Sequence, residues 1–380
     1  MSAVIIKSCN NYRVEDLIDI INSGIDLLGG WGKFIRPQMT VLLKVNLIGP
    51  KTPDTAAVTH PEFVRAITRI LMERKCKVWI GDSSGGAIAG ISPTGRSFIV
   101  SGLERVAIEE GAKIKNFDKE GVMGIDTSVG KMYLAKPLFE ADFIINLPKL
   151  KTHSAGIYTG AVKNLFGCIP GLRKAAYHKG APNPKEFGTV LAAIYESVNV
   201  GLHIMDGITA MQGEGPTAGT VYHAEKILLS TDPLALDAVA SKMIGINIED
   251  NPIFDAARER KLGEWKSQNI EVEGDYLTPP KLPKFKLPRA FKLRKKVNYG
   301  LMVTLIDLLK ARPKIDENHC TNCNMCVESC PVYAIDKMTK IINYDKCIEC
   351  MCCHELCMYN AVKLKREKFI GKVVSKLLKI

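Results

Sequence analysis

The segments CTNCNMCVESCP (Cys320–Pro331) and CIECMCCHELCM (Cys347–Met358) decide how the C-terminal part of the chain folds. Each follows the spacing C-x2-C-x2-C-x3-C, and the second repeats the first after a shift of 27 residues. The flanks shift with it: Ile315 matches Ile342, and Ala334-Ile335 matches Ala361-Val362. The stretch is therefore an internal duplication. In its register Cys352 stands opposite Met325, so the second half holds five cysteines where the repeat uses four.

Nine of the twelve cysteines lie between Cys320 and Cys357. Such clustering argues for metal or redox chemistry over disulfides. Three thiolates on a tight loop can cap three corners of an iron-sulfur cube, while a fourth at the start of a helix points toward the other half. From Lys314 to Lys365 the chain resembles a bacterial-type two-cluster ferredoxin, with Met358 where a second proline would follow Cys357. In that family the fourth cysteine ligates the other cluster. The resemblance thus implies two 4Fe-4S clusters, one on Cys320, Cys323, Cys326 and Cys357, the other on Cys347, Cys350, Cys353 and Cys330. A pair of zinc sites is the alternative, although no zinc module needs the duplicated x3-C step. Cys352 reads as a small, partly buried residue or as a thiol with a redox role.

Residues 1–275 alternate short β-branched runs with helical patterns. VIIKS from Val4, TVLLKVNL from Thr40, KVWIGDSS from Lys77, DFIINLP from Asp142, LHIMDGI from Leu202 and KILLSTDP from Lys226 are the expected strands. HPEFVRAITRILMERK puts Phe63, Ile67, Ile70 and Leu71 on one helical face. The expected fold class is α/β, a mostly parallel sheet flanked by helices, followed by a small α+β ferredoxin-like domain at 314–366. Between them, 276–313 is Pro- and Lys-rich and predicts an extended linker.

The formal net charge of +12 is uneven: 281–314 carries +10 and 363–380 carries +6, leaving about −4 for the rest. Basic flanks around the cysteines suit an acidic protein partner, an anionic membrane surface or nucleic acid, or simple solvation against the charge of ligated clusters, and the expected partner is a redox partner protein or low-potential electron donor. In the tail 367–380, Phe369, Ile370, Val373, Val374, Leu377 and Leu378 recur at helical spacing, so peripheral membrane contact is one expectation. Charge alone, without a recognisable module or aromatic platform, ranks nucleic acid low. The N-terminal MSAVIIKSCNNYRVEDLIDI lacks a leader pattern, and the longest apolar run, from Asn298, is interrupted by Asp307. A cytoplasmic location without a membrane span is expected.

Several expected strands end in polar residues: Lys44 and Asn46, Asp82 and Ser83, Asn146 then Lys149, and Asp206 with Gly207. In open parallel sheets ligands bind at the carboxyl ends of strands. Lys149, Lys151, Thr152 and His153, followed by Lys163 and Asn164 in a helical segment, suggest an anion site made of cations and a helix amino end. Asp82-Ser83-Ser84-Gly85-Gly86 reads as a tight turn letting backbone approach a ligand. Asp232, before Pro233, reads as a helix cap. No phosphate-loop or G-x-G-x-x-G pattern follows a strand.

Lys44-Val45-Asn46, Asp82-Ser83-Ser84-Gly85, Asn146 through His153, Gly160-Ala161-Val162-Lys163-Asn164 with Gly167, Asp206-Gly207, and Asp232-Pro233 with Asp237 together resemble the domain-of-unknown-function family 362 over about residues 1–260. Members are often fused to a ferredoxin module. The resemblance implies an architecture and a set of positions without a substrate. Cys168 lies in the matching stretch as a buried structural thiol, a substrate-facing one or a fifth metal-site ligand. The expected function is electron transfer to or from an anionic substrate or cofactor, as in a ferredoxin-linked oxidoreductase. His153 and Lys151 are the candidate catalytic groups, and Lys44, Asn46, Asp82, Ser83, Lys149, Lys163, Asn164 and Asp206 the candidate binding groups. The alternative is a non-catalytic electron carrier or adaptor that docks a partner enzyme.

Overall fold

The computed structural model describes residues 1–86, 92–154, 156–171, 173–181, 183–288, 291 and 312–365. Its strands are β1 (Ser2–Ser8), β2 (Thr40–Lys44), β3 (Lys77–Asp82), β4 (Lys113–Asn116), β5 (Val122–Thr127), β6 (Gly130–Ala135), β7 (Phe143–Asn146), β8 (Lys149–His153), β9 (Ile157–Thr159), β10 (Leu202–Gln212), β11 (Thr220–Ser230), β12 (Ile270–Gly274), β13 (Arg312–Ile315) and β14 (Val362–Lys365).

Ten strands form one sheet in the order β12-β1-β11-β10-β7-β2-β3-β4, with β8 branching from β10 and β9 from β8. The run β10-β7-β2-β3-β4 is parallel, while β11 pairs antiparallel with both β1 and β10. β2 is buried at four of its five positions, as expected of a strand covered on both faces. The pleat sends Leu42 and Ile144 into one core layer and Val41, Leu43 and Ile145 into the other. Helix Val14–Leu27 meets the second layer through Val14, Leu17, Ile21 and Ile25. Helix Pro61–Glu73 joins it there: Pro61 occupies its first turn, His60 caps it, and Phe63, Ile67, Ile70 and Leu71 are fully buried.

The six expected strands are present, and the fold is the expected one. Several further strands carried no clear signal. β4 is half-buried and the β5–β6 hairpin exposes half its positions, and β8–β9 runs through KLKTH, whose lysines resemble a solvated loop yet are buried. The helical segment expected after Thr159 is short, Ala161–Asn164, and continues as a 3-10 turn over Leu165–Cys168.

The described part of the linker lies fixed on the α/β body. Leu282 N–H donates to the Met243 carbonyl, Tyr222 OH to the Pro283 carbonyl, and Lys286 N–H to Gln212 Oε1. Phe291 is buried in the first core layer. The rest of the linker, the apolar run from Asn298 and the tail 367–380 lie outside the described residues. Among the described residues no helix is long and apolar enough to cross a membrane.

In the cysteine module, Ile315 pairs with Val362 and Ile335 with Ile342. These two pairings are equivalent under the 27-residue shift, each joining the leading flank of one half to the trailing flank of the other. The halves are thereby interlocked.

Candidate functional site

The polar strand ends converge. Lys44 lies 2.9 Å from Asp82, and both are buried. Asp82 also accepts from Leu47 N–H and Ser83 N–H, at 2.7 Å each. Burial pushes its carboxyl up, and Lys44 and Lys174 oppose that shift. Lys151 Nζ donates to Asn46 Oδ1 and to the Ala57 carbonyl, 2.7 Å each. Asn46 Nδ2 donates to Asn164 Oδ1 and Asn164 Nδ2 to Asn146 Oδ1, again at 2.7 Å. This amide chain fixes which face each asparagine turns to its neighbour.

Beside it, Lys174 Nζ donates to Ser83 Oγ at 2.6 Å and to the Ser83 carbonyl at 2.8 Å, and Ser83 Oγ donates to Asp118 at 2.5 Å. Burial pulls Lys174 down to about 8, with Asp118 and Asp82 resisting. His178 stacks on Phe187 at 4.6 Å between ring centres.

Several of these groups open onto a cavity of about 110 Å3. Of the residues expected at the site, Asn46, Asp82, Ser83, Thr159, Lys151, Lys163 and Asn164 line it; Lys174 and His178 were not singled out and line it too. Ser329, Cys352 and Leu356 of the cysteine module complete the wall.

Four expected groups stand elsewhere. Lys44 lies behind Asp82 and does not line the cavity. Lys149 and Asp206 form a fully buried ion pair at 2.7 Å, closed by Tyr12 OH at 2.8 Å and His60 N–H at 3.0 Å from the carboxylate. Burial lowers Lys149, with Asp206 opposing. His153 is buried, accepts from Gly156 N–H at its Nδ1, and does not line the cavity.

The helix amino end expected to hold an anion is filled from within. Ala161 and Val162 N–H donate to the two oxygens of Asp237, at 2.7 and 3.0 Å. A Cβ at Gly160 would collide with that carboxylate, so the close approach requires glycine. Burial raises Asp237 to about 7 against these bonds. Asp232 caps helix Pro233–Met243 through Leu234 and Ala235 N–H, as read from the sequence. Cys168 is fully buried, pushed up to about 12 by burial, and does not line the cavity.

The turn Gly85-Gly86 does meet a close neighbour, but that neighbour is protein. A Cβ at Gly85 would lie 2.9 Å from Leu356, and Gly86 adopts φ +88° against the same side chain. Lys51 reaches across to the carbonyls of Cys357 and Met358 at 3.2 Å. The body thus clasps the end of the module helix Cys352–Leu356.

Within the module neighbouring thiols act on one another. Cys326 is raised to about 11 by burial and then by Cys357, Cys323 and Cys320. Cys353 is raised well above its ordinary value by burial, then by Cys350, Cys326, Cys347 and Cys330. One internal cavity is lined by Cys330, Cys347, Cys350 and Cys353 together. Ala334 N–H points at Cys330 Sγ and Ala361 N–H at Cys357 Sγ, each at 3.2 Å and related by the repeat. Backbone N–H donors aimed at sulfur favour the thiolate form that a soft metal requires.

Comparison with known proteins agrees with this division. The model of a domain of unknown function, DUF362, matches residues 41–242, and that of a 4Fe-4S binding domain matches residues 313–336. A thylakoid-associated protein of Synechocystis sp. is 32% identical over 263 residues, 68% of this chain and 79% of that protein. The pyruvate synthase subunit PorD of Methanothermobacter marburgensis is 40% identical over 57 residues, 15% of this chain and 69% of the subunit. Among solved structures, the lactate racemase apoprotein from Thermoanaerobacterium thermosaccharolyticum has a TM-score of 0.39 at 14% identity, covering 61% of this chain and 55% of that one. The chain therefore spans little more than half of that solved protein.

Proposed function

The chain belongs to the DUF362 family, here joined to a 4Fe-4S binding domain, and we propose that it exchanges electrons with a small anion held in the cavity between the two parts. The observation that carries this reading is the cavity wall itself, to which the α/β strand ends and the cysteine module both contribute.

In this proposal Cys320, Cys323, Cys326 and Cys357 hold one cluster and Cys330, Cys347, Cys350 and Cys353 the other. Two such clusters would supply single electrons at the cavity wall. Lys151, Lys163 and Lys174 supply positive charge for a carboxylate or phosphate. Lys151 is aimed by Asn46, itself held by Asn164, so this ammonium is positioned before any ligand arrives. Lys174, already drawn toward neutrality, is the cavity group best placed to give or take a proton. Lys44, Lys149 and Asp206 act as buried supports, and His153, also buried, does not line the cavity.

The test is anion binding to the full chain, purified anaerobically. Sulfate or a small dicarboxylate should bind, and its binding should change the electron paramagnetic resonance spectrum of the reduced protein. Binding that leaves the spectrum unaltered, or no binding, contradicts the reading. A second reading, an electron-carrier subunit that docks a partner enzyme, is favoured by the 40% identity over 57 residues to a pyruvate synthase subunit. It predicts a spectrum indifferent to small anions.

A further inference from the structure

We infer that Cys352, the cysteine left over by the repeat, is the contact between the anion cavity and the thiol set Cys330, Cys347, Cys350 and Cys353. Of the residues lining the anion cavity, Cys352 is the one that also lines the cavity formed by those four thiols. It is thus the shared wall. This inference rests on the function proposed above and says which of the two sets meets the ligand.

Three further observations converge on it. Ser329 and Cys352 line the anion cavity and are the chain neighbours of Cys330 and Cys353, both of the same set. The module cannot slide away easily, because Lys51 holds the carbonyls that follow the helix Cys352–Leu356 and Gly85-Gly86 pack on Leu356. In the same cavity wall, Thr159 is 3% exposed, and among the described residues its Oγ1 has no hydrogen-bond partner. A buried hydroxyl without a partner at a cavity wall calls for a polar ligand atom there. The matching residue in the first half of the repeat, Met325, is 1% exposed and lines neither cavity. The cysteine therefore marks the half of the repeat that faces the ligand.

Cys352 is a bridging residue on this account, not a cluster ligand. The test uses the anaerobic, cluster-loaded full chain with iodoacetate, an anionic alkylating agent, and its neutral analogue iodoacetamide. Iodoacetate should carboxymethylate Cys352 faster than iodoacetamide does, ahead of Cys9, Cys76 and Cys168, which line neither cavity. Sulfate should slow the reaction. No iron should be lost, and the paramagnetic signal of one cluster should shift while the other stays. The variant Cys352→Ser should keep its full iron content and lose the labelling. Labelling that appears only as iron is released, a signal shift in both clusters or in neither, or loss of iron in Cys352→Ser would each overturn the inference. Iron counted before any reagent is added tests the two-cluster reading separately.

Discussion

Replacing either member of the Lys149–Asp206 pair should destabilise the body severely, whereas replacing both should not. The two groups are fully buried and 2.7 Å apart. Lys149→Met leaves Asp206 charged and held only by Tyr12 OH, His60 N–H and a long contact from Ile208 N–H at 3.4 Å. Asp206→Leu leaves an ammonium facing two hydroxyls, Tyr12 and Thr209. Stranding one charge of a buried pair costs about 3–5 kcal/mol. In the double variant the charges are gone and Tyr12 OH can turn to Thr209 Oγ1, already 2.9 Å away. His60 N–H still loses its acceptor, a cost of about 1–3 kcal/mol. The double variant should therefore lose about 1–3 kcal/mol, where the two single losses add to roughly 6–10 kcal/mol. The three tryptophans, Trp31, Trp79 and Trp265, all lie in the body, so urea unfolding followed by their fluorescence reads this part of the chain. Sulfate affinity should change little, because neither residue lines the cavity. A double variant as unstable as the sum of the singles, or a large loss of sulfate affinity in Lys149→Met alone, would refute the reasoning.

Three other outcomes follow from the same geometry. Lys174 drops to about 8 in the ligand-free protein, so sulfate affinity measured by calorimetry should weaken about tenfold per pH unit above that point, and Lys174→Gln should flatten the profile. Asp237 sits near 7 when folded and lower when unfolded; the folded state then binds the extra proton, so its contribution is present at acid pH and is lost as pH rises from about 4 through 7. The stability of the native chain minus that of Asp237→Asn, from urea titrations across this window, should fall by up to about 4 kcal/mol. Gly86→Val forces a β-branched residue into φ +88° beside Leu356, which should loosen the module and speed proteolysis of the linker with little change in tryptophan fluorescence.

The parts legible from sequence were those where chemistry dictates spacing. The cysteine repeat needs its intervals to place sulfur, so a 4Fe-4S binding domain, matched over residues 313–336, could be recognised from the spacing alone. The central strands could be read because strands buried on both faces are near-continuous apolar runs. β8 could not, because Lys149 and Lys151 are buried in it, and a lysine in a strand gives no hint that a carboxylate or an asparagine waits in another segment. Lys174 and His178 lie on a helix, RKAAYHKG, with no apolar stripe to orient it. Their place at the cavity depends on Ser83 and Phe187, distant in sequence. The glycine pair after Asp82 reads as a turn for a ligand, yet its close neighbour is Leu356, a side chain from the other end of the chain. Asp237 taking the helix end expected for a ligand has the same origin: a long-range partner that spacing does not encode.

The most direct measurement is the iron and acid-labile sulfide content of the anaerobically purified full chain, with zinc determined on the same sample. Two clusters require about eight irons and eight sulfides per chain. Zinc in place of iron, or about four irons held by a single set of thiols, would contradict the account.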